Sequence, residues 1–322
     1  MKETVKEYQI LLFYCYTTIQ YPEDFAEHHH QYCVDNDILG RIIIAGEGIN
    51  GTVSGKFQDC EKYIHDLKAD RRFDKIEFKI DQLDSHAFEK LYVRVKPEIV
   101  NSGLTQIDPR QKTGIYLEPD QFRALKDNED VVLLDIRSNY EHGIGKFKNA
   151  KTLDIDNFRE FSDKISELSD LKEKKILTYC TGGIKCEKAS AYLLEQGFEN
   201  VYQLHGGIIK YGLEEGGKDF EGKCYVFDNR VAVNVNNVNP TVFAKCHICG
   251  KDNDRMINCA NPECNNHIPV CEDCGLEFEG ACSTECQSHP DKREYDGSGY
   301  YMKELNGYSP QHALLSKKKK TV

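Results

Sequence analysis

Eight of the chain's fourteen cysteines fall between Cys246 and Cys286, paired as Cys246-x2-Cys249, Cys259-x4-Cys264, Cys271-x2-Cys274 and Cys282-x3-Cys286. This constrains the fold more than any other feature, because short loops with so little apolar content cannot close a core without a staple. The start, Met1-Lys2-Glu3-Thr4-Val5-Lys6-Glu7, has no apolar export segment, so a reducing cytoplasmic compartment is expected, and there clustered thiols bind metal or react. Short spacers let each pair bite one ion from a turn, and eight thiolates match two tetrahedral zinc sites with folding coupled to binding. Interleaved pairing joins the first pair to the third and the second to the fourth; spacing leaves sequential pairing open, and a metal-free or partly oxidised cluster is the alternative to both. With four protein thiolates per ion, the zinc is expected to be structural. His247, His267 and His289 lie among the pairs.

At 322 residues the chain is long for one core and implies two or three domains. A hydrophobic fraction of 39%, a charged fraction of 30% and a mean hydropathy of -0.60 describe a chain that packs cores in water. No apolar run approaches the roughly 18 to 20 residues of a membrane helix, so no membrane partner is expected. A net charge of -11 argues against bulk coating of nucleic acid, and no DNA partner is expected. A local basic surface could still hold a nucleic-acid substrate through a few clustered phosphate contacts.

Strand and helix signals alternate over the first 96 residues. Tyr8–Tyr16 reads as a strand, Pro22 to about Leu39 as a helix, Arg41–Ala45 and Thr52–Ser54 as strands, Phe57–Leu67 as a helix, and Lys75–Ile80 and Leu91–Val95 as strands. The order βαββαβ is that of a ferredoxin-like or acylphosphatase-like α+β domain. Within it, Gly46-Glu47-Gly48-Ile49-Asn50-Gly51 reads as a tight hairpin connection on the strength of Asn-Gly. A phosphate-cradling loop is the rival, although neither the dinucleotide nor the P-loop spacing is present.

Residues 97–118, punctuated by Pro97, Gly103, Pro109 and Gly114, read as a linker. Over 119–225, helices at Asp120–Lys126, Phe158–Leu168 and Cys186–Glu195 alternate with strands at Val131–Asp135, Lys175–Tyr179 and Val201–Leu204. Such alternation predicts a parallel α/β sheet whose ligand sites lie beyond the carboxyl ends of its strands. The cysteine-rich region covers 240–290, and residues 291–322 read as a tail in which Lys317-Lys318-Lys319-Lys320 is a solvated end.

Cys180 begins where a strand ends and opens the loop Thr181-Gly182-Gly183-Ile184-Lys185-Cys186 before a helix. Loop amides and the positive end of that helix stabilise an anion there and lower the thiol pKa. A buried structural cysteine has no need of two glycines and a lysine beside it, so Cys180 reads as a nucleophilic or persulfide-carrying thiolate. A C-x5-R phosphatase would need arginine where Cys186 stands, which favours sulfur chemistry over phosphate. His28-His29-His30 is rejected as a metal triad, because adjacent helical residues point apart.

Asp135-Ile136-Arg137, Tyr140-Glu141-His142, the loop Cys180 to Cys186 and His205-Gly206-Gly207 together resemble a rhodanese domain. With Glu187, Gly46 to Gly51, Asp108-Pro109-Arg110, Lys112-Thr113-Gly114 and the C-terminal cysteines, the chain resembles over nearly its whole length the TrhO (YceA-like) family of rhodanese-related tRNA uridine hydroxylases. The resemblance implies oxygen-dependent conversion of the wobble uridine, position 34, to 5-hydroxyuridine. It further implies Cys180 as the active residue, tRNA as partner through its anticodon loop, molecular oxygen as co-substrate and an unidentified electron donor. No flavin, haem or non-haem iron motif is evident.

Around Cys180, Asp135 and Arg137 read as a buried ion pair supporting the loop, and Lys185 as either an aid to the anion or a solvated charge. Cys186 reads as helix packing, with resolution of an oxidised Cys180 as the rival, and His205 as a cap, with proton donation as the rival. Arg94, Lys96, Arg110 and Lys112 are candidate phosphate contacts or plain surface charge. Two rivals share the data: a sulfurtransferase carrying a persulfide on Cys180, and a non-enzymatic module whose zinc region binds a protein.

Overall fold

The computed structural model describes residues 6–299, so the Lys317–Lys320 run and most of the expected tail lie outside the described residues. Two compact units are present: one runs up to Lys245 with Asp252–Asp254, the other comprises Cys246–Lys251 and the chain from Arg255 on.

The larger unit begins with β1 (Tyr8–Tyr16), α1 (Pro22–Asp35), β2 (Leu39–Ala45), β3 (Gly48–Lys56), α2 (Phe57–Ala69), β4 (Glu77–Leu83) and β5 (Leu91–Val95). They form a sheet of order β4-β1-β3-β2-β5, with β5 parallel to β2 and the other neighbours antiparallel. Strand alternation divides its faces. Leu11 and Phe13 face the helices and join Ile42, Ile44, Ile49, Val53, Cys33 and Tyr63 in a buried core. Leu12, Tyr14 and Tyr16 alternate with them on the opposite face.

Two local expectations shift. Helix α1 ends at Asp35 rather than near Leu39, because Asp37 takes a left-handed conformation (φ 49) and Ile38 N–H turns back to the Cys33 carbonyl at 2.9 Å; a short polar side chain tolerates that backbone. The β2–β3 hairpin turns at Gly46-Glu47, closing on the pair Ala45 and Gly48, and Asn50-Gly51 lies inside β3 opposite Ile43 and Ile42. Gly51 is a strand glycine because it sits against the Phe13 ring, where a Cβ would come within 2.5 Å.

The unit continues with β6 (Ile115–Leu117), α3 (Pro119–Leu125), β7 (Val131–Asp135), α4 (Asn139–His142), β8 (Gly145–Phe147) and β9 (Lys151–Thr152). A 3₁₀ segment (Phe158–Leu171), β10 (Lys175–Tyr179), α5 (Ile184–Glu195), β11 (Asn200–Leu204), α6 (Gly207–Glu215) and β12 (Phe220–Gly222) follow. The second sheet has order β6-β11-β10-β7-β9, every neighbour parallel, so β10 is its middle strand. Strand β6 emerges from the segment read as linker; three residues are too few to show a period. Phe158, Phe161, Ile165 and Leu168 are buried as an amphipathic pattern requires, but their spacing of three and four also suits 3₁₀ turns.

The smaller unit is a hairpin of Met256–Asn258 with His267–Pro269 and two short helices, Glu272–Glu277 and Thr284–Gln287. Among the described residues it has a small buried cluster of Cys246, Ile257, Ile268, Val270 and Cys274. Among the described residues no helix is long and apolar enough to cross a membrane.

Candidate functional site

Cys180 stands at the carboxyl end of β10, and the loop after it curls around the sulfur. Gly183 adopts φ 100, a backbone that side chains disfavour, and this turns its N–H onto Cys180 Sγ at 3.2 Å. The loop carbonyls face away: Cys180 O accepts the Ile208 N–H at 2.9 Å and Thr181 O the Ile209 N–H at 3.1 Å. The first turn of α6, placed by Gly206-Gly207, thus takes the acceptors and leaves the donors for sulfur.

The electrostatics follow. Burial pushes the Cys180 thiol up, but the Cys186 side chain, the Lys185 charge and the N–H groups of Cys186 and Lys185 bring it down to about 7. Cys33, Cys60 and Cys224 are equally enclosed, yet burial carries each up to about 12. Enclosure is common to all four; among them only at Cys180 do the donors, with the Lys185 charge, outweigh it. Cys186 is pushed well up, first by burial and then by its hydrogen bond to Cys180, so it stays a thiol while Cys180 supplies the thiolate.

Lys185 is not a solvated charge. Its ammonium pairs with Glu141 and lies 5.7 Å from the Phe227 ring centroid. Glu141 is itself fully buried and closes a capping box on α4. Asp135 and Arg137 are both 0% exposed. Arg137 Nε donates to Asp135 Oδ1 at 2.9 Å, Nη2 to Oδ2 at 2.6 Å, and Nη2 also to the Gly145 carbonyl at 2.7 Å. The pair ties the end of β7 to α4, which carries Glu141, and to the start of β8. His205 does not cap α6, whose cap is Gly206 without a side-chain bond; its ring bridges Glu118 (2.6 Å) and Glu77 (3.2 Å).

The sequence reading missed the roof. The helix-free face of the first sheet covers the cysteine loop: a Cβ on Gly182 would meet Leu12 at 2.9 Å, and one on Gly183 would meet the Tyr14 hydroxyl at 2.9 Å. Beside this contact lies a cleft of about 230 Å³ lined by Tyr14, Tyr16, Lys79, Arg110, Tyr116 and Glu187 among others. Glu187, buried on α5, accepts hydrogen bonds from Tyr14 (2.9 Å) and Tyr116 (2.9 Å). Its neighbour Lys188 is 0% exposed and reaches Glu47 of the hairpin turn at 2.8 Å and the Ile107 carbonyl at 2.8 Å. The available signal was the large polar aromatics at alternate positions of β1, opposite its apolar face. Of the four candidate phosphate contacts, Arg110 lines the cleft, held by Asp108 and by Thr18 at 2.8 Å. Arg94, Lys96 and Lys112 are exposed elsewhere.

In the smaller unit the cysteines gather as Cys246, Cys249, Cys271 and Cys274, and as Cys259, Cys264, Cys282 and Cys286, with the sulfurs of each set within 4.8 Å of one another. The interleaved pairing is the one the chain adopts. Thiolates about 2.3 Å from one zinc stand about 3.8 Å apart in a tetrahedron. The sulfurs of Cys249 and Cys271 are 3.7 Å apart, as are those of Cys264 and Cys282. Both sets could hold a metal ion, and no histidine belongs to either.

A sulfur cradle at the carboxyl end of the middle strand of a parallel sheet defines a rhodanese-like protein, and residues 118–214 match the rhodanese-like domain family. Residues 8–99 match the UPF0176 acylphosphatase-like domain, and 221–287 the rhodanese C-terminal family. A Cytophaga hutchinsonii protein named tRNA uridine(34) hydroxylase is 63% identical over 306 residues, spanning 95% of this chain and 98% of its own. One of the same name from Bacillus mycoides is 48% identical, spanning 90% and 92%. The chain belongs to the tRNA uridine(34) hydroxylase family. Among solved structures, a thiosulfate sulfurtransferase from Pseudomonas aeruginosa is 21% identical over 36% of this chain and 22% of that one, at a TM-score of 0.31.

Proposed function

We propose that this protein hydroxylates uridine 34 of tRNA to 5-hydroxyuridine, with Cys180 as the reacting residue. Family membership supports the reaction, and the donors converging on one buried sulfur support the residue; the hydrogen bond from Gly183 N–H to Cys180 Sγ at 3.2 Å carries that assignment. The reaction balances as uridine, dioxygen, two electrons and two protons giving 5-hydroxyuridine and water, so the co-substrate is dioxygen and a separate donor supplies the electrons.

Single-stranded anticodon bases can be splayed out and stacked on aromatic planes. The cleft beside the sulfur offers Tyr14, Tyr16 and Tyr116 for that, with Arg110 for the backbone. Because Cys180 is only 1% exposed, the base reaches sulfur when Leu12 and Tyr14 give way, and the closed roof then excludes water. The supporting parts hold rather than react: Arg137 fixes Asp135, and Lys185 fixes charge beside the loop. The two cysteine sets would hold zinc as structural ions that fold the smaller unit.

The sulfurtransferase reading uses the same cradle, with Cys180 carrying a persulfide. Complementing a strain that lacks the protein with C180A or C180S, then weighing tRNA nucleosides, separates the readings. Loss of an added oxygen on uridine is expected with both variants. Loss of an added sulfur would establish sulfur transfer instead, and a phenotype indifferent to C180A but lost with Cys246→Ala would make the protein a binding module.

A further inference from the structure

Lys79 is a buried cation without an anion. It is 7% exposed, lines the cleft, and among the described residues its ammonium forms neither an ion pair nor a hydrogen bond; its neighbour is the Tyr14 ring, 4.9 Å from Nζ. Beside it Tyr16 also lines the cleft, and the Tyr16 hydroxyl is buried without a hydrogen-bond partner. A buried donor without a partner costs stability, and the Tyr16 hydroxyl with the unpaired Lys79 ammonium beside it, both facing one cleft, indicate a ligand that satisfies both.

The carboxylates nearby are already engaged: Glu187 accepts from Tyr14 and Tyr116, and Glu77 faces His205 at 3.2 Å. What the inner cleft leaves free is therefore donor capacity. An ammonium has three donors and no acceptor. Lys75 and Arg110, also lining the cleft, are exposed and suit hydrated phosphates; Lys79 is far more enclosed, at 7% exposure, with its Nζ at the cleft and against the Tyr14 side chain that touches the Cys180 loop. A desolvated donor there meets a base edge. Uracil presents a carbonyl oxygen at C4, an acceptor, whereas cytosine presents an amino donor at the same place.

Building on the function proposed above, we infer that Lys79, with Tyr16, receives the C4 carbonyl of the base brought to Cys180 and so selects uracil over cytosine. A cytosine would set its amino group against the ammonium and leave both desolvated and unpaired, the arrangement by which polar sites discriminate most strongly.

The test uses the full-length zinc-loaded protein and two anticodon stem-loop RNAs that differ only in U34 or C34, with binding measured anaerobically and hydroxylation in air with an added thiol reductant as the two-electron donor. Wild type is expected to prefer the U34 loop. K79M is expected to shrink that preference by about ten- to a hundredfold, the worth of a hydrogen bond to a charged group. Its affinity for the C34 loop should stay level or rise, since the clash with the cytosine amino group goes with the ammonium, its salt dependence should stay unchanged, and K79R should restore part of the preference. Y16F, which removes one oxygen and serves should K79M misfold, should lower the same ratio by a smaller factor. Equal weakening of both loops with a shallower salt slope would make Lys79 a phosphate contact, and an unchanged ratio in both variants would leave no contact; either overturns the inference while the hydroxylase function stands. A wild type that neither prefers nor hydroxylates the U34 loop removes the function itself, and this assignment with it.

Discussion

Replacing Lys185 with methionine tests the thiolate most directly. Burial raises the Cys180 pKa, and Lys185 is one of the groups that bring it down to about 7. The substitution removes that charge and also strands the Glu141 carboxylate, which is 0% exposed and paired with Lys185. Both changes disfavour an anion on sulfur. A rise of about one to two pKa units follows, which takes the thiolate at pH 7 from about half of the molecules to between about a tenth and a hundredth. Single-turnover hydroxylation at pH 7 should fall about 5- to 50-fold, and the deficit should vanish above about pH 10, where both proteins are ionised. Difference absorbance of the thiolate, read against C180A, gives the same titration without turnover. The double variant E141Q/K185M, which removes the stranded carboxylate as well, should recover part of the shift. A pH profile that K185M leaves in place, or a loss that persists at about pH 10, would refute the account of how this sulfur is ionised.

Two further outcomes follow from the same structure. R137M leaves Asp135 as an unpaired charge at 0% exposure and should cost about 3–5 kcal/mol of stability in urea unfolding, whereas R137K, which keeps charge but loses the fork, should cost less. Metal analysis of protein prepared without chelator should find two zinc ions per chain, and C271A, which opens the first set, should release one ion and raise protease cleavage after residue 245 while the Cys180 titration is unmoved.

The elements that carry the sulfur were legible because their signals are local. The apolar strand before Cys180, the two glycines behind it and the α/β alternation each need only neighbouring residues, and the cysteine pairs announce their chemistry by type and spacing. What escaped is what depends on the other half of the unit. Lys185 left a solvated charge open, and the helix after it gave no sign that Glu187 and Lys188 are 4% and 0% exposed, because their partners, Tyr14 and Glu47, lie more than a hundred residues earlier. Periodicity records which residues are apolar; it does not record that a charge has a buried counter-charge elsewhere. Lys79 was hidden the same way: in a strand read by alternation it counts as an outward lysine, and only the packing of a second domain turns that outward face into an interior. The register of Gly46 to Gly51 was misplaced for a related reason, since the glycine at position 51 answers to the Phe13 ring across the sheet rather than to a turn.

Helix α5 joins the two halves, and the strengths of its ties decide how Cys180 is reached. Successive helical residues diverge by about 100°, so Lys185 points to Glu141, Glu187 to Tyr14 and Tyr116, and Lys188 to Glu47, each on a different element. The Lys188 tie is an ammonium at 0% exposure held by a carboxylate and by the carbonyls of Leu104 and Ile107; removing one side of such a pair costs about 3–5 kcal/mol. The Tyr14 tie is a single hydroxyl on a carboxylate, worth about 1.5–3 kcal/mol, and Leu12 adds only contact. The tie directly over the sulfur is thus the weaker one. Opening it moves two side chains of β1 and leaves the hairpin turn clamped to α5, so the helix end that stabilises the thiolate keeps its place while the base enters. A site that had to part its halves at Lys188 would lose the positioning of α5 at the moment of reaction; one that yields at Tyr14 does not.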